Sequence, residues 1–205
     1  ELASSIITAF VGFAVIPIYI SYLGIDAYGL VGFFATIQAL LQLLDLGLTP
    51  AISREVAGCL AKNQKSNAKT ILHTLAVTYW TIALTIAVAM YLLSPVLAEH
   101  WLHSSKFSSG ELSDAVALIG IVIAARWPVG IYRGALAGAQ QQIVAARVNI
   151  IMGVIGSAGA VLVLIYVAPT ITAFFIWQAI SGLITSFVMR TATWRCFGKD
   201  RSVKF

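Results

Sequence analysis

The sequence contains 205 residues, of which 60% are hydrophobic and only 10% are charged. An ordinary soluble domain is about 45–50% apolar and about 25% charged, so these proportions argue against a cytosolic enzyme, a nucleic-acid-binding module and a disordered chain. The mean hydropathy of +0.91 predicts instead a membrane protein with several spans.

Six apolar stretches are each long enough to cross a bilayer, for which ~20 residues are needed. They cover residues 3–22, 29–50, 74–97, 115–134, 148–167 and 171–190. A spanning segment must satisfy its own backbone hydrogen bonds, and these stretches lack the alternation of barrel strands, so each is predicted to be a helix. The predicted fold is an all-α polytopic membrane protein, a six-transmembrane-helix bundle over residues 1–195, followed by a tail over 196–205.

The connections between the predicted spans differ in charge. Eleven of the 13 Lys and Arg residues lie in the second and fourth connections and in the tail. The other three connections contain only Lys106, and Arg126 lies inside a span. Because cytoplasmic loops carry the excess of positive residues, the N-terminal side and the tail are expected to be cytoplasmic. The net charge of +5 then reflects membrane topology, and we expect no nucleic-acid partner.

Three of the predicted spans carry large polar side chains along one helical face. They are Gln38, Gln42 and Asp45 on the second span, Arg126 and Arg133 on the fourth, and Gln178 on the sixth. Gln often serves only as a hydrogen-bonding contact between helices. A charged group in the hydrocarbon, however, usually faces a bundle interior or a water-filled cavity, so these stripes favour a polar cavity.

The depth of the charged residues distinguishes them. At ~1.5 Å per residue, Asp45 lies ~24 Å and Arg133 ~27 Å from the outer ends of their spans, whereas Arg126 lies ~17 Å down. We therefore predict an ion pair between Asp45 and Arg133, with a more central Arg126 that has no carboxylate of its own. The alternative is that Arg126 simply neutralises Asp45. An unpaired arginine at that depth favours an anionic ligand or a water-filled vestibule.

Other motifs concern packing rather than chemistry. Gly130, Gly134 and Gly138 form two overlapping GxxxG motifs, which predict close approach of helices, and Pro128 is expected to bend its span. His100 and His103 have no third ligand at metal-site spacing, and the sequence has no Walker, GxSxG or HExxH motif. We therefore predict no catalytic residue, no metal and no cofactor, and we do not expect an enzyme.

Three segments carry a resemblance to a known family. They read IPIYISYLG over residues 16–24, LLDLGLTPAISREVA over 43–57 and YRGALAGAQQQ over 132–142. In their order and spacing they resemble the first half of Wzx-type polysaccharide flippases, which belong to the multidrug/oligosaccharidyl-lipid/polysaccharide exporter superfamily. The resemblance implies a transporter of 12–14 helices in two lobes, of which this chain would be the N-terminal lobe. Residues 196–205 would then begin the linker to a missing C-terminal lobe, and a start at Glu1 rather than Met agrees with a piece of a longer protein.

The resemblance also implies a function. Members of this family flip undecaprenyl-pyrophosphate-linked oligosaccharides, the O-antigen or related repeat units, across the bacterial inner membrane. The implied mechanism is alternating access, coupled to entry of H+ or Na+, and the implied partners are the lipid-linked oligosaccharide and membrane lipids. The first span has no arginine, unlike that of the related peptidoglycan lipid flippases, so a peptidoglycan precursor is a less favoured substrate.

Candidate residues follow from the polar stripes and the matched segments together. Arg126 and Arg133 would bind the pyrophosphate, since arginine donates paired hydrogen bonds to phosphate oxygens, and Gln38, Gln42 and Gln178 would bind sugar hydroxyls. Asp45 and Arg133 would form the cavity ion pair or the coupling site. Arg54 and Glu55, at the exit of the second span, would form a cytoplasmic gate.

Three alternatives belong to different classes. A multidrug or organic-cation exporter of the same superfamily would need carboxylates in its cavity, yet Asp45 is the only acidic residue inside a predicted span. A membrane glycosyl- or acyltransferase acting on lipid-linked sugars would need a catalytic acid or histidine near an interface, where only His73, His100 and His103 are available. A non-transporting membrane subunit agrees less well with polar stripes on several spans.

Overall fold

A computed structural model describes residues 15–44, 47–100 and 108–198 of the chain. The described residues form helices α1 (15–23), α2 (Ile25–Leu44), α3 (Leu48–Ala61), α4 (Lys65–His100), α5 (Ser109–Arg126), α6 (Val129–Gly138), α7 (Gln142–Tyr166) and α8 (Ile171–Gly198). Helix accounts for 91% of this part of the chain, and strands are absent from it. The all-α prediction is confirmed.

Four helical segments in the described ranges are long and apolar enough to cross a membrane. They are Lys65–Ala98 in α4, Gly110–Gly138 across α5 and α6, Gln142–Tyr166 in α7 and Ile171–Phe197 in α8. A shorter apolar segment, Ala27–Leu40, lies within α2. The predicted first span, 3–22, lies mostly outside the described residues. The chain is thus an all-α polytopic membrane protein, as its composition predicts.

The second predicted span, 29–50, contains parts of two described helices, with residues 45 and 46 between them outside the described residues. α2 ends at Leu44, and α3 begins at Leu48 after Gly47 as its N-cap residue. Pro50 explains where the new helix starts, because proline has no N–H and is tolerated in the first turn of a helix but not in its interior. The apolar stretch 29–50 therefore includes most of α2 and the first turn of α3.

The fourth predicted span, 115–134, is also divided. α5 ends at Arg126 and α6 begins at Val129, with Pro128 as the N-cap residue of α6. The missing N–H of a proline interrupts the helical ladder, so the bend expected at Pro128 is confirmed as a break between two helices. Since α5 and α6 together still form one membrane-crossing segment, this break lies within the span.

Two clusters of buried apolar side chains hold the bundle together. The first joins α2 and α5 to the C-terminal half of α7 and the N-terminal half of α8, around Ile119, Leu164 and Phe175. The second joins α3, α6 and the N-terminal half of α4 to the C-terminal half of α8, around Leu72 and Met189. The clusters occupy opposite ends of the bundle, and the break between α5 and α6 lies between them.

The GxxxG glycines bring α6 into close contact with α3. A Cβ atom added at Gly134 would stand 2.8 Å from the carbonyl oxygen of Thr49, and one at Gly138 would collide with the carbonyl oxygen of Ser53. Thr49 also donates a hydrogen bond of 3.4 Å to the carbonyl oxygen of Gly130. The prediction that these glycines pack helices within one bundle is confirmed.

Candidate functional site: a cationic cavity at the broken helix

A cavity of about 460 Å³ lies where the broken span meets α1, α2, α7 and α8. Its polar lining residues are Tyr19, Gln38, Arg126, Arg133, Asn149, Ser157, Gln178, Ser181 and Thr185. Apolar side chains such as Phe34, Ile123 and Phe174 complete the wall. Cavities of this size, mostly apolar with a few convergent polar groups, are typical of ligand sites.

Arg126 lies at the end of α5, immediately before the break, and two neutral groups hold its guanidinium. Its Nη2 donates a hydrogen bond of 2.5 Å to Oε1 of Gln178, which is buried on α8. Its Cζ stands 5.8 Å from the ring centroid of Phe34 on α2, a distance at which a cation is attracted to an aromatic face. The guanidinium is thus positioned by an amide and a ring, neither of which neutralises its charge.

The backbone beside Arg126 is fixed by a second contact with α8. The carbonyl groups in the last turn of a helix have no partner within that helix. Ser186, which is fully buried, donates a hydrogen bond to the carbonyl oxygen of Ala125. This bond attaches the end of α5 to α8 just before the break.

Arg133 supplies a second positive charge to the same cavity. It lies on α6, beyond the break, and its side chain is exposed. Within the described ranges it has no hydrogen-bond or ionic partner. The predicted ion pair of Arg133 with Asp45 cannot be placed, because Asp45 lies outside the described residues, and that pair stays a prediction.

The charge of the cavity has one sign in the described part of the chain. Arg126 and Arg133 line it, and no described lining residue is Asp or Glu. Gathered in a largely apolar wall, two cations attract anions strongly, because the local dielectric constant is below that of water.

The other predicted substrate-binding residues divide into two groups. Gln38, on α2, and Gln178, on α8, line the cavity together with the two arginines. Gln42 lies on α2, but its side chain is outside the described residues. The structure therefore brings Gln38, Arg126, Arg133 and Gln178 to one cavity.

The predicted gate residues lie elsewhere. Arg54 and Glu55 are both exposed on α3, and neither lines the cavity. They form no ion pair with any residue in the part of the chain that is described. Their role as a gate stays a prediction, and the cavity does not depend on them.

Several lining residues were not among the predicted site residues. Phe34, Ser157 and Ser181 contact the cavity, but apolar and small hydroxyl side chains are so common in membrane helices that they give no signal of their own. Thr185 follows Gln178 by seven residues, which places both on one helical face. That spacing is the signal that indicates Thr185.

No metal site is evident in the described residues, which contain no group of three or more His, Cys, Asp or Glu side chains able to share an ion.

The chain matches the family model described as "Polysaccharide biosynthesis protein" over residues 2–205. Neither the search of curated proteins nor that of solved structures returned a match.

Proposed function

This chain belongs to the polysaccharide biosynthesis protein family. We propose that it forms the N-terminal lobe of a Wzx-type flippase. Membership of this family links the chain to polysaccharide synthesis or transport. The proposed substrate is an undecaprenyl-pyrophosphate-linked oligosaccharide, the O-antigen or a related repeat unit. It would pass from the cytoplasmic to the outer leaflet of the bacterial inner membrane.

The position of Arg126 carries this proposal. A pyrophosphate is an anion, and moving an isolated ion into an apolar medium costs tens of kcal/mol in the idealised limit. A cavity that offers fixed cations in place of water lowers that barrier. Arg126 lies in such a cavity, and its partners among the described residues are neutral. Asp45, the alternative partner, lies outside those residues. The proposal takes the charge of Arg126 to be available to an entering phosphate.

The remaining lining residues fit the two parts of the proposed head group. Arginine donates paired hydrogen bonds to phosphate oxygens, so Arg126 and Arg133 would hold the pyrophosphate. An entering phosphate would take the place of the Gln178 amide as the acceptor for Arg126, leaving Gln178 free to bind sugar. Gln38, across the cavity on α2, would bind sugar hydroxyls in the same way.

Transport requires more than this one cavity wall. In the proposed arrangement a C-terminal lobe of the same protein closes the cavity, and the two lobes rock so that it opens to each side in turn. Entry of H+ or Na+ would drive the cycle, with Asp45 and Arg133 as the coupling pair and Arg54 and Glu55 at the cytoplasmic gate. The N-terminal side and the tail of this chain would lie in the cytoplasm.

Among the alternatives, the exporter of organic cations fits the cavity least well. A cation site in a membrane needs an anionic partner, and the described lining contains Arg126 and Arg133 but no carboxylate. A glycosyl- or acyltransferase needs a catalytic acid or base near the substrate, and none lines the described cavity.

The test is Arg126→Ala in the full-length protein, expressed in cells that lack their own copy. We expect surface polysaccharide to disappear while the abundance of the protein in the membrane is unchanged. Arg126→Lys should restore only part of the export, because an ammonium group cannot form the paired bonds of a guanidinium. The matched control is Arg147→Ala, which removes an exposed arginine of α7 that does not line the cavity. Normal export by Arg126→Ala, or an equal loss in Arg147→Ala, would refute the proposal.

A further inference from the structure

A second cavity, of about 360 Å³, lies on the other side of α6, between α4 and α8. It shares no lining residue with the cationic cavity. We call it the interfacial groove and define it by His73, Val77, Trp80, Leu84, Arg190 and Trp194. Of these residues, only His73 was a candidate from the sequence, as a histidine near a membrane interface.

The groove is amphipathic along its length. His73, Arg190 and Trp194 lie at one end of the groove, toward the N-terminal end of α4 and the C-terminal end of α8. Val77 and Leu84 continue from there along α4 and are 53% and 67% exposed. At ~1.5 Å per residue, the groove follows α4 for about 16 Å between His73 and Leu84.

The floor of the groove is aromatic and held in place. Tyr132 of α6 is 1% exposed, and its hydroxyl accepts a hydrogen bond of 3.4 Å from Nε1 of Trp80. The Trp80 ring also packs against Phe187 of α8, with ring centroids 5.9 Å apart. The Trp80 side chain is therefore held in position by Tyr132 of α6 and Phe187 of α8, beside the open groove.

From this arrangement we infer that the groove binds one phospholipid with an anionic head group. The phosphate lies by Arg190 and His73 at the polar end, and Trp194 contacts the glycerol region, the depth at which tryptophan is enriched. One acyl chain lies along Val77, Trp80 and Leu84. Basic pockets between membrane helices recognise anionic lipid head groups, and Arg190 has no acidic partner in the described part of the chain. The inference goes beyond the proposed function, because it concerns a resident lipid rather than the transported one.

The first test measures lipid selectivity by native mass spectrometry of the purified, delipidated full-length protein. Phosphatidylglycerol and phosphatidylcholine with identical acyl chains serve as probes. We expect the protein to retain phosphatidylglycerol preferentially, and Arg190→Gln to weaken that retention roughly fivefold, since one basic residue near an anionic lipid surface contributes about that factor. Arg195→Gln, five residues further along α8 and outside the groove, is the matched control and should bind as the wild type does. Equal retention of the two lipids, or an equal effect of the two arginine variants, would overturn the inference.

The second test asks whether the acyl chain occupies the groove. Phosphatidylglycerol with brominated acyl chains should quench tryptophan fluorescence in the wild type, and Trp80→Phe should remove part of that quenching. A soluble head group, sn-glycerol 3-phosphate, should not displace the lipid. If Trp80→Phe leaves the quenching unchanged, or if the soluble head group competes as well as the whole lipid does, no lipid chain lies in the groove and the inference fails. Both tests use binding alone, so their failure is distinct from failure of the flippase proposal.

Discussion

Gly182 of α8 lies directly against the side chain of Arg126. A Cβ atom added at Gly182 would stand 3.0 Å from Cγ of Arg126 and 3.2 Å from Cβ of Ala125. Gln178 lies one turn earlier on the same face of α8 and accepts the hydrogen bond from the guanidinium. One helical face thus provides both the space for the arginine side chain and the acceptor at its end, so the position of the charge depends on a residue that has no polar group.

Enlarging Gly182 should therefore displace the charge. We expect Gly182→Leu to abolish export of polysaccharide, because the long arginine side chain gives way more readily than the packed helices do. Overpacking of this kind costs about 1–3 kcal/mol, so the variant should still be found in the membrane at near-normal abundance. Gly58→Leu is the control, since a Cβ at Gly58 on α3 meets nothing within 4 Å. Normal export by Gly182→Leu would show that the position of Arg126 does not matter.

Replacing Gln178 should separate stability from transport. Gln178→Glu places a carboxylate beside Arg126, and a charge-assisted pair is stronger than a bond to a neutral amide. We expect this variant to unfold at the wild-type temperature or above it in detergent, while its export falls, because the new carboxylate competes with a phosphate for Arg126. Gln178→Leu, by contrast, should lower the unfolding temperature, since it leaves a charged group without its acceptor. Wild-type export by Gln178→Glu would contradict the need for an unneutralised arginine.

The close contact of α6 with α3 gives a prediction about stability alone. A Cβ at Gly134 would meet the carbonyl oxygen of Thr49 at 2.8 Å, and a backbone atom cannot move aside as a side chain can. We expect Gly134→Ala to lower the free energy of unfolding by about 1–3 kcal/mol. Gly32→Ala on α2, where a Cβ would meet nothing within 4 Å, should not destabilise the protein. Thermal unfolding of both variants in one detergent is the measurement, and equal midpoints for the two would rule out the tight helix contact.

The hydrogen bond from Ser186 to the carbonyl oxygen of Ala125 gives another prediction about the free energy of unfolding. Removing the hydroxyl in Ser186→Ala should cost about 1–3 kcal/mol, because the buried carbonyl oxygen of Ala125 then lacks its donor. Thr191→Ala is the control, since Thr191 is exposed and its hydroxyl bonds only to its own helix, at the carbonyl oxygen of Val188. We expect the unfolding midpoint of Ser186→Ala to fall below that of Thr191→Ala. A larger shift in the control would show that the end of α5 does not depend on Ser186.

The break at Pro128 and the start of α3 at Leu48 show what a hydropathy pattern can and cannot predict about helix ends. The sequence predicts the first, because a proline in mid-span is conspicuous. The sequence does not predict the start of α3, because Pro50 lies near the end of an apolar run that has the length and hydropathy of a single span. A span prediction counts apolar residues and does not detect where the hydrogen-bond ladder of one helix ends and another begins.

The sequence by itself determined that the chain is helical and that it resides in a membrane. It also determined that Arg126 is a charged residue within a span, where it needs a polar partner or a water-filled cavity. These conclusions depend on composition and on the regular repeat of one helix, both of which can be read along the chain. The tertiary structure decided that Gln178, Phe34 and Gly182 are the neighbours of Arg126, and that Arg54 and Glu55 are not. Which helices face each other is fixed by packing between residues far apart in the chain, and no local pattern encodes that choice.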